Sequence, residues 1–217
     1  MFIPQFQTKM ETKSKSIKLV VITIPEFFPG EAELVNMLFE HGLELLHVRK
    51  PSASAQQMEE YLSAIDGKYM SRVALHDHFE MAQRFGVGGL HLNSRNNALP
   101  SGWSGRVSRS CHSFDEVLAV KDALDYCFLS PIFDSVSKIG YKMAFSEADL
   151  RQKRAEGVID SKIFALSGVT LDNVQVVESL GFGGCAVLGY LWQYKSDSKK
   201  MTDVFVKLKD LCTFVPG

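Results

Sequence analysis

The chain has 217 residues, enough for one sizeable core and too few for two comfortable domains. With 46% hydrophobic and 23% charged residues and a formal net charge of −1, it offers neither a nucleic-acid surface nor a polybasic membrane-seeking face. Any affinity for anions must then come from a few placed basic residues. Cys111, Cys127, Cys185 and Cys212 are scattered without a CxxC pair, which points to free thiols in a reducing compartment rather than a disulfide or metal framework.

Residues 1–16 are a polar leader with no continuous apolar core, so they do not read as a signal peptide. No apolar run approaches the ~20 residues of a membrane span, and a cytoplasmic location is expected. From residue 17 to 217, short apolar runs alternate with amphipathic stretches. The expected strands are Lys18–Thr23, Glu44–Val48, Arg72–His76, Gly89–Leu92, Arg106–Arg109, Tyr126–Leu129, Lys162–Leu166 and Gly184–Leu188. Their apolar runs suit strands buried on both faces, as in a parallel sheet. The expected helices are Glu31–His41, Ala55–Ile65, Phe79–Phe85, Phe114–Leu124, Ser146–Glu156, Leu171–Leu180 and Thr202–Leu211. Asn93–Trp103 is polar and reads as a loop or short irregular helix. Ser113 and Thr170 sit where helix N-caps belong, while Gly42, Gly86 and Gly181 sit where helices stop. Eight strands in regular alternation predict a single (β/α)8 TIM barrel, with an open doubly wound sheet as the competing reading.

In such a barrel the βα loops at the strand C-termini converge on one mouth. The second strand ends in His47-Val48-Arg49-Lys50, the third in His76-Asp77-His78, and the fourth runs through His91 to Asn93. The fifth leads to Ser110-Cys111-His112, and the sixth to Ser130, Ser135, Ser137 and Lys138. The seventh ends in Ser167-Gly168 and the eighth in Leu188-Gly189. Small residues at the last two ends let backbone N–H groups approach an anion, and loops seven and eight of such barrels often hold phosphate. Arg49, Lys50 and Lys138 then supply positive charge from the opposite rim. Imidazole and carboxylate together also suit Zn²⁺ or Fe, although no HExxH pattern is present.

These segments, taken in order from about Ile17 to Trp192, resemble the thiamine-phosphate synthase/TenI family. LLHVRK resembles the second-strand motif with its phosphate-binding Arg, here Arg49. VALHDHFEMAQRFGVGGLHLN resembles the Asn-Asp to His-Leu-Gly stretch, and RVSRSCHSFDEV the Ser-x-His-Ser segment. DYCFLSPIFDSVSK resembles the Gly-Pro-Ile-Phe turn with its Thr-x-Thr-Lys loop, and IFALSGVTLDNV and GGCAVLGYLW resemble the two phosphate turns. The resemblance implies a transferase that joins a hydroxymethylpyrimidine diphosphate to a thiazole phosphate and releases pyrophosphate. By the same resemblance Arg49 and Lys138 hold pyrophosphate, with Lys50 as a displaced substitute. Ser110, Ser135 and Ser137 donate to phosphate oxygens, and Asp77 binds Mg²⁺. Gly168, Leu188 and Gly189 present amides to the thiazole phosphate, beside Ser167, with His47 and His76 among the substrate-binding residues. A homodimer is the implied assembly.

Three departures stand out. Lys50 directly follows Arg49 where the pattern is Arg-x-Lys, and adjacent strand residues point to opposite faces. The second Mg²⁺-binding Asp is Asn96, which weakens the metal site, since Mg²⁺ prefers anionic oxygens. Pro131 stands where the tautomerase branch places a His, so a TenI-like tautomerase here needs His112 or His76 as its acid–base. Synthase chemistry is the leading reading, ahead of the tautomerase and of a non-catalytic thiazole-phosphate binder.

Overall fold

A computed structural model of the protein describes residues 16–134 and 143–213. The leader reading for residues 1–15, and the positions of Ser135, Ser137 and Lys138, lie outside the described residues. In chain order the elements are β1 (Lys18–Ile22), α1 (Glu31–Glu40), β2 (Leu45–Val48), α2 (Ala55–Ala64) and β3 (Val73–Leu75). Then come α3 (Ala82–Phe85), β4 (Gly89–Leu92), β5 (Arg106–Cys111), α4 (Phe114–Val120), β6 (Tyr126–Leu129) and α5 (Glu147–Ala155). The order ends with β7 (Ile163–Leu166), α6 (Val174–Ser179), β8 (Gly184–Val187), α7 (Gly189–Trp192) and α8 (Ser198–Thr213). The strands form a closed parallel barrel in sequence order, with β1 pairing β8 from Lys18↔Gly184 to Val21↔Val187. The open-sheet alternative is therefore overturned, and the (β/α)8 barrel stands.

Alternation along the strands divides the apolar residues into two layers. Val20, Ile22, Leu45, Tyr126, Phe128, Phe164 and Ala186 fill the barrel interior as one cluster. Their strand neighbours Leu19, Val21, Leu46, Val48 and Leu129 face outward and pack with helix residues such as Leu38, Met58, Leu62 and Phe205. This second layer explains why the helices follow the strands: each amphipathic face has one apolar wall to cover.

Several ends differ from the sequence expectation. The expected helix Leu171–Leu180 begins at Val174, because the Thr170 hydroxyl takes the Asp172 N–H in a preceding turn (3.2 Å) instead of capping a helix. Asn93–Trp103 carries no helix. Ser113 does cap α4 by accepting from the Glu116 N–H at 3.1 Å, while the Glu116 carboxylate turns back to the His112 N–H at 2.7 Å. Unanticipated capping boxes start α2 (Ser54 with Gln57) and α5 (Ser146 with Asp149).

Lys50 needs a correction. The sequence placed it among the residues facing the substrate, but it points out of the barrel, 0% exposed, into the wall between β2 and α1. Its Nζ donates to both Glu31 carboxylate oxygens at 2.7 Å and to the Ile24 and Glu26 carbonyls at 2.9 Å. The Phe27 ring lies 4.5 Å away. Burial raises the Glu31 carboxyl pKa and lowers that of the Lys50 ammonium, and each partner opposes the other's shift. The physical reason is strand alternation: Leu45, His47 and Arg49 face inward, so Lys50 faces outward.

A buried pair of this kind is costly to break from one side. Lys50→Met is expected to destabilise the fold by about 3–5 kcal/mol in urea unfolding, because the Glu31 carboxylate loses its counter-charge. The double variant Lys50→Met/Glu31→Leu should recover most of that loss. A single variant with unchanged stability would restore Lys50 to the ligand side.

Candidate active site

A cavity of about 320 Å³ opens at the C-terminal ends of the strands. Its wall takes Ile22 from β1, Arg49 after β2, His76 after β3, and His91, Asn93 and Arg95 from β4 and its loop. Ser110 and His112 come from β5, Ser130 follows β6, Ser167 and Gly168 follow β7, and Leu188 and Gly189 follow β8. The structure therefore brings Arg49, His76, Ser110, His112, Ser167, Gly168, Leu188 and Gly189 around one space. The Arg49 backbone N–H is fixed by the Thr23 hydroxyl at 2.9 Å. Among the described residues its guanidinium has no hydrogen-bond or ion-pair partner.

The loop after β7 is tightly folded. Ser167 and Gly168 both take left-handed backbone angles, φ 83° and 68°. A Cβ on Gly168 would sit 2.3 Å from the Asp134 carbonyl oxygen, so only glycine lets this loop close against the loop after β6. The Asn173 side-chain amide donates to the Gly168 carbonyl at 2.8 Å, and Gly168 and Val169 line the cavity. Among the described residues the N–H groups of Gly168, Val169 and Gly189 reach no acceptor. Unpaired backbone donors on residues that line a cavity call for an anionic or water partner.

The loop after β4 is organised around Asp77. Asn93 donates to the His76 carbonyl at 2.7 Å and accepts from the Arg95 N–H at 2.9 Å. Arg95 then lays its guanidinium along the Asp77 carboxylate, Nε to Oδ1 at 3.0 Å and an Nη to Oδ2 at 3.3 Å. Asn96 adds its side-chain N–H₂ to Asp77 Oδ1 and to the His76 carbonyl, each at 3.1 Å. The resemblance implies Mg²⁺ held by Asp77 and Asn96, and the residues as placed do not fit it. Mg²⁺ requires hard oxygen ligands in octahedral array. Here one carboxylate is covered by an arginine, and the amide presents its donor. Arg95 is the functional candidate that the sequence reading missed. Its one signal was a basic residue immediately before Asn96 in a polar loop.

At the base of the cavity His76 and His91 line its wall and His47 lies beneath them, the three forming a polar stack. His47 Nδ1 meets His76 Nε2 at 2.8 Å, and His47 Nε2 meets the Tyr126 hydroxyl at 2.6 Å. His91 Nδ1 and Nε2 meet the Ser108 and Ser110 hydroxyls at 2.8 and 2.9 Å, and its ring stacks on His76 at 4.1 Å. His47 is thus another correction: it faces the barrel interior, 0% exposed, and supports His76 from beneath instead of lining the cavity. One ring nitrogen from each of the three lies within 4.8 Å of the others. As placed, these nitrogens are engaged in hydrogen bonds to one another, to Tyr126 and to two serines, so the set is arranged as a polar network. Burial pushes the pKa of His91 down to about 3 and those of His47 and His76 well below 6.5, and all three are neutral. His112 sits at the rim, its Nδ1 3.2 Å from both the carbonyl and hydroxyl oxygens of Ser130.

With this geometry the chain can be set beside known proteins. A family model described as thiamine monophosphate synthase matches residues 19–191. The chain belongs to that family. It is 23% identical over 197 residues to the thiamine-phosphate synthase of Limosilactobacillus reuteri, covering 82% of this chain and 86% of that protein. A crystal structure of thiamine phosphate pyrophosphorylase from Bacteroides thetaiotaomicron superposes with a TM-score of 0.82 at 39% identity, covering 90% of this chain and 97% of that one. The pyrophosphorylase of Pyrococcus furiosus, at 19% identity and TM-score 0.72 over 92% and 96% of the two chains, shares the barrel. Within this family, the cavity at the strand C-termini is the place to seek the chemistry.

The neutral histidines give the fold a pH signature. For His91, the unfolded chain takes up a proton below pH 6.5 while the folded chain resists until about 3, so its stabilising contribution is whole above 6.5 and is lost as pH falls toward 3. His47 and His76 act in the same direction. Unfolding free energy is expected to fall across that window by up to ~1.4 kcal/mol per pH unit for each histidine. His91→Gln should remove about one proton from the slope of stability against pH in that window. An unchanged slope would mean that His91 is protonated in the native protein.

Proposed function

We propose that this protein joins a hydroxymethylpyrimidine diphosphate to a thiazole phosphate, forming thiamine phosphate and releasing pyrophosphate. The observation that carries the reading is the set of free N–H groups at Gly168, Val169 and Gly189 in the same cavity as the unpaired Arg49 guanidinium. Family membership points the same way. The two anion-seeking features suit two phosphate-bearing substrates facing each other.

In this mechanism the C–O bond to the diphosphate breaks first, and the leaving group carries away the electron pair. Arg49 stabilises the charge that accumulates on the departing oxygens, assisted by the hydroxyl of Ser110. Ser135, Ser137 and Lys138 belong to the same proposed group by resemblance. The pyrimidine-methyl cation that remains is captured by the thiazole nitrogen, which forms the new C–N bond. The amides of Gly168, Leu188 and Gly189, with Ser167, hold the thiazole phosphate and set that nitrogen's approach. His76 contributes as a neutral polar neighbour, because an imidazolium would repel the developing cation. Ile22, Leu166, Ala186 and Val187 supply an apolar wall that keeps water from the cation.

We take the catalytic unit to be one barrel spanning residues 17–217, acting on small molecules and not on nucleic acid, with a homodimer as the assembly suggested by resemblance. Among the described residues no helix is long and apolar enough to cross a membrane. We place the enzyme in the cytoplasm, in keeping with its free, buried cysteines.

The test is formation of thiamine phosphate with stoichiometric pyrophosphate from the two purified substrates. Arg49→Ala should lower kcat/KM by about 10²-fold or more, as loss of a transition-state donor does. If pyrophosphate is not released, but a thiazole carboxylate phosphate exchanges its ring proton and His112→Ala abolishes this, the protein is an isomerase. Thiazole-phosphate binding without either activity would make it a carrier.

A further inference from the structure

We infer that Arg95 occupies the place of a divalent cation in this site, so that the diphosphate is held and released against a guanidinium clamped on Asp77, without Mg²⁺. The inference rests on the proposed transfer reaction and concerns what neutralises its leaving group.

Asp77 is 7% exposed, and such a carboxylate needs a counter-charge. Arg95 provides it from the cavity side, through the Nε and Nη contacts to the two carboxylate oxygens. A guanidinium carries five N–H donors in a fixed plane. Two of them are spent on Asp77, and those left on the far edge are available to a ligand. The Arg95 side chain is 43% exposed, so that edge is not sealed in the protein. Its backbone N–H is pinned by Asn93, so the arginine is held at both its main chain and its head.

Asn96 decides against a metal in the same place. Its side-chain nitrogen contacts two acceptors, the Asp77 carboxylate and the His76 carbonyl, which fixes the amide orientation with its donor toward Asp77. A divalent ion would have to expel the guanidinium and rotate this amide, then settle on one carboxylate close to Arg49 and the displaced Arg95. As it stands, Asp77, Arg95 and Asn96 sum to zero charge, and the site is balanced without a metal. A planar arginine fork also matches adjacent phosphate oxygens better than a point charge does. Arg49 and Arg95 then approach the diphosphate from the loops after β2 and β4, on either side of the loop after β3.

The probe is inorganic pyrophosphate, titrated calorimetrically into the full chain with excess EDTA and again with Mg²⁺, alongside Mn²⁺ binding read by electron paramagnetic resonance. The native protein should bind pyrophosphate in EDTA and leave Mn²⁺ free. Arg95→Gln, which keeps an amide donor for Asp77 and so preserves the fold, should weaken binding in EDTA by about tenfold or more. Arg95→Gln/Asn96→Asp should bind Mn²⁺ and recover pyrophosphate affinity only with metal present. Native binding that requires Mg²⁺, or native binding of Mn²⁺ at this site, overturns the inference and leaves the proposed reaction standing. Failure to bind pyrophosphate under any condition overturns both.

Discussion

Closure of eight parallel strands into a barrel, with side chains alternating strictly between its inside and its outside, governs everything else in this molecule. Along β2 it sends His47 inward and Lys50 outward and leaves Arg49 facing the mouth. The interior side chains, from Val20 to Phe164, build a floor, and the outward ones give the helices their wall. The free N–H groups of the loops after β7 and β8 share a cavity with Arg49 because those strands finish the circuit that β1 and β2 begin. An open sheet would leave these ends at opposite edges.

Charge is handled in three distinct ways within a short distance of that mouth. In the outer wall, Lys50 and Glu31 are buried as a pair, and their benefit is to fix how α1 sits on β2. At the base of the cavity, His76 and His91 in its wall and His47 beneath them stay neutral through burial, and His47 and His91 trade hydrogen bonds with Tyr126, Ser108 and Ser110. At the rim, the buried Asp77 is paired with a partly exposed Arg95 that keeps donors to spare. Among the described residues around the cavity, Arg95 and the unpaired Arg49 offer positive charge to a ligand, in the same space that Gly168, Val169 and Gly189 line.

A neutral floor beneath a cationic rim suits a reaction in which diphosphate leaves and a carbon cation remains. The leaving anion is drawn to the arginines, while the nascent cation rests near uncharged imidazoles and an apolar wall. At Asp77 the carboxylate is already paired with the Arg95 guanidinium.

Much of this was open to reading before any coordinates. Apolar runs of strand length between amphipathic stretches determined the (β/α)8 order, and most strand limits fall within a residue or two of their observed ends. Gly168, Gly189, Arg49 and Ser110 were legible because tight turns and strand C-termini carry local signals. The rest was settled in three dimensions. Lys50 has no sequence mark that separates a ligand-binding lysine from one paired with Glu31 nineteen residues earlier. His47 and His76 look alike in the chain, yet one is floor and the other wall. Arg95 meets Asp77 across two successive βα loops, a contact set by barrel curvature and loop packing. Local pattern encodes which element forms and which face it turns inward; which charge finds which partner depends on distances between strands that only closure of the barrel fixes.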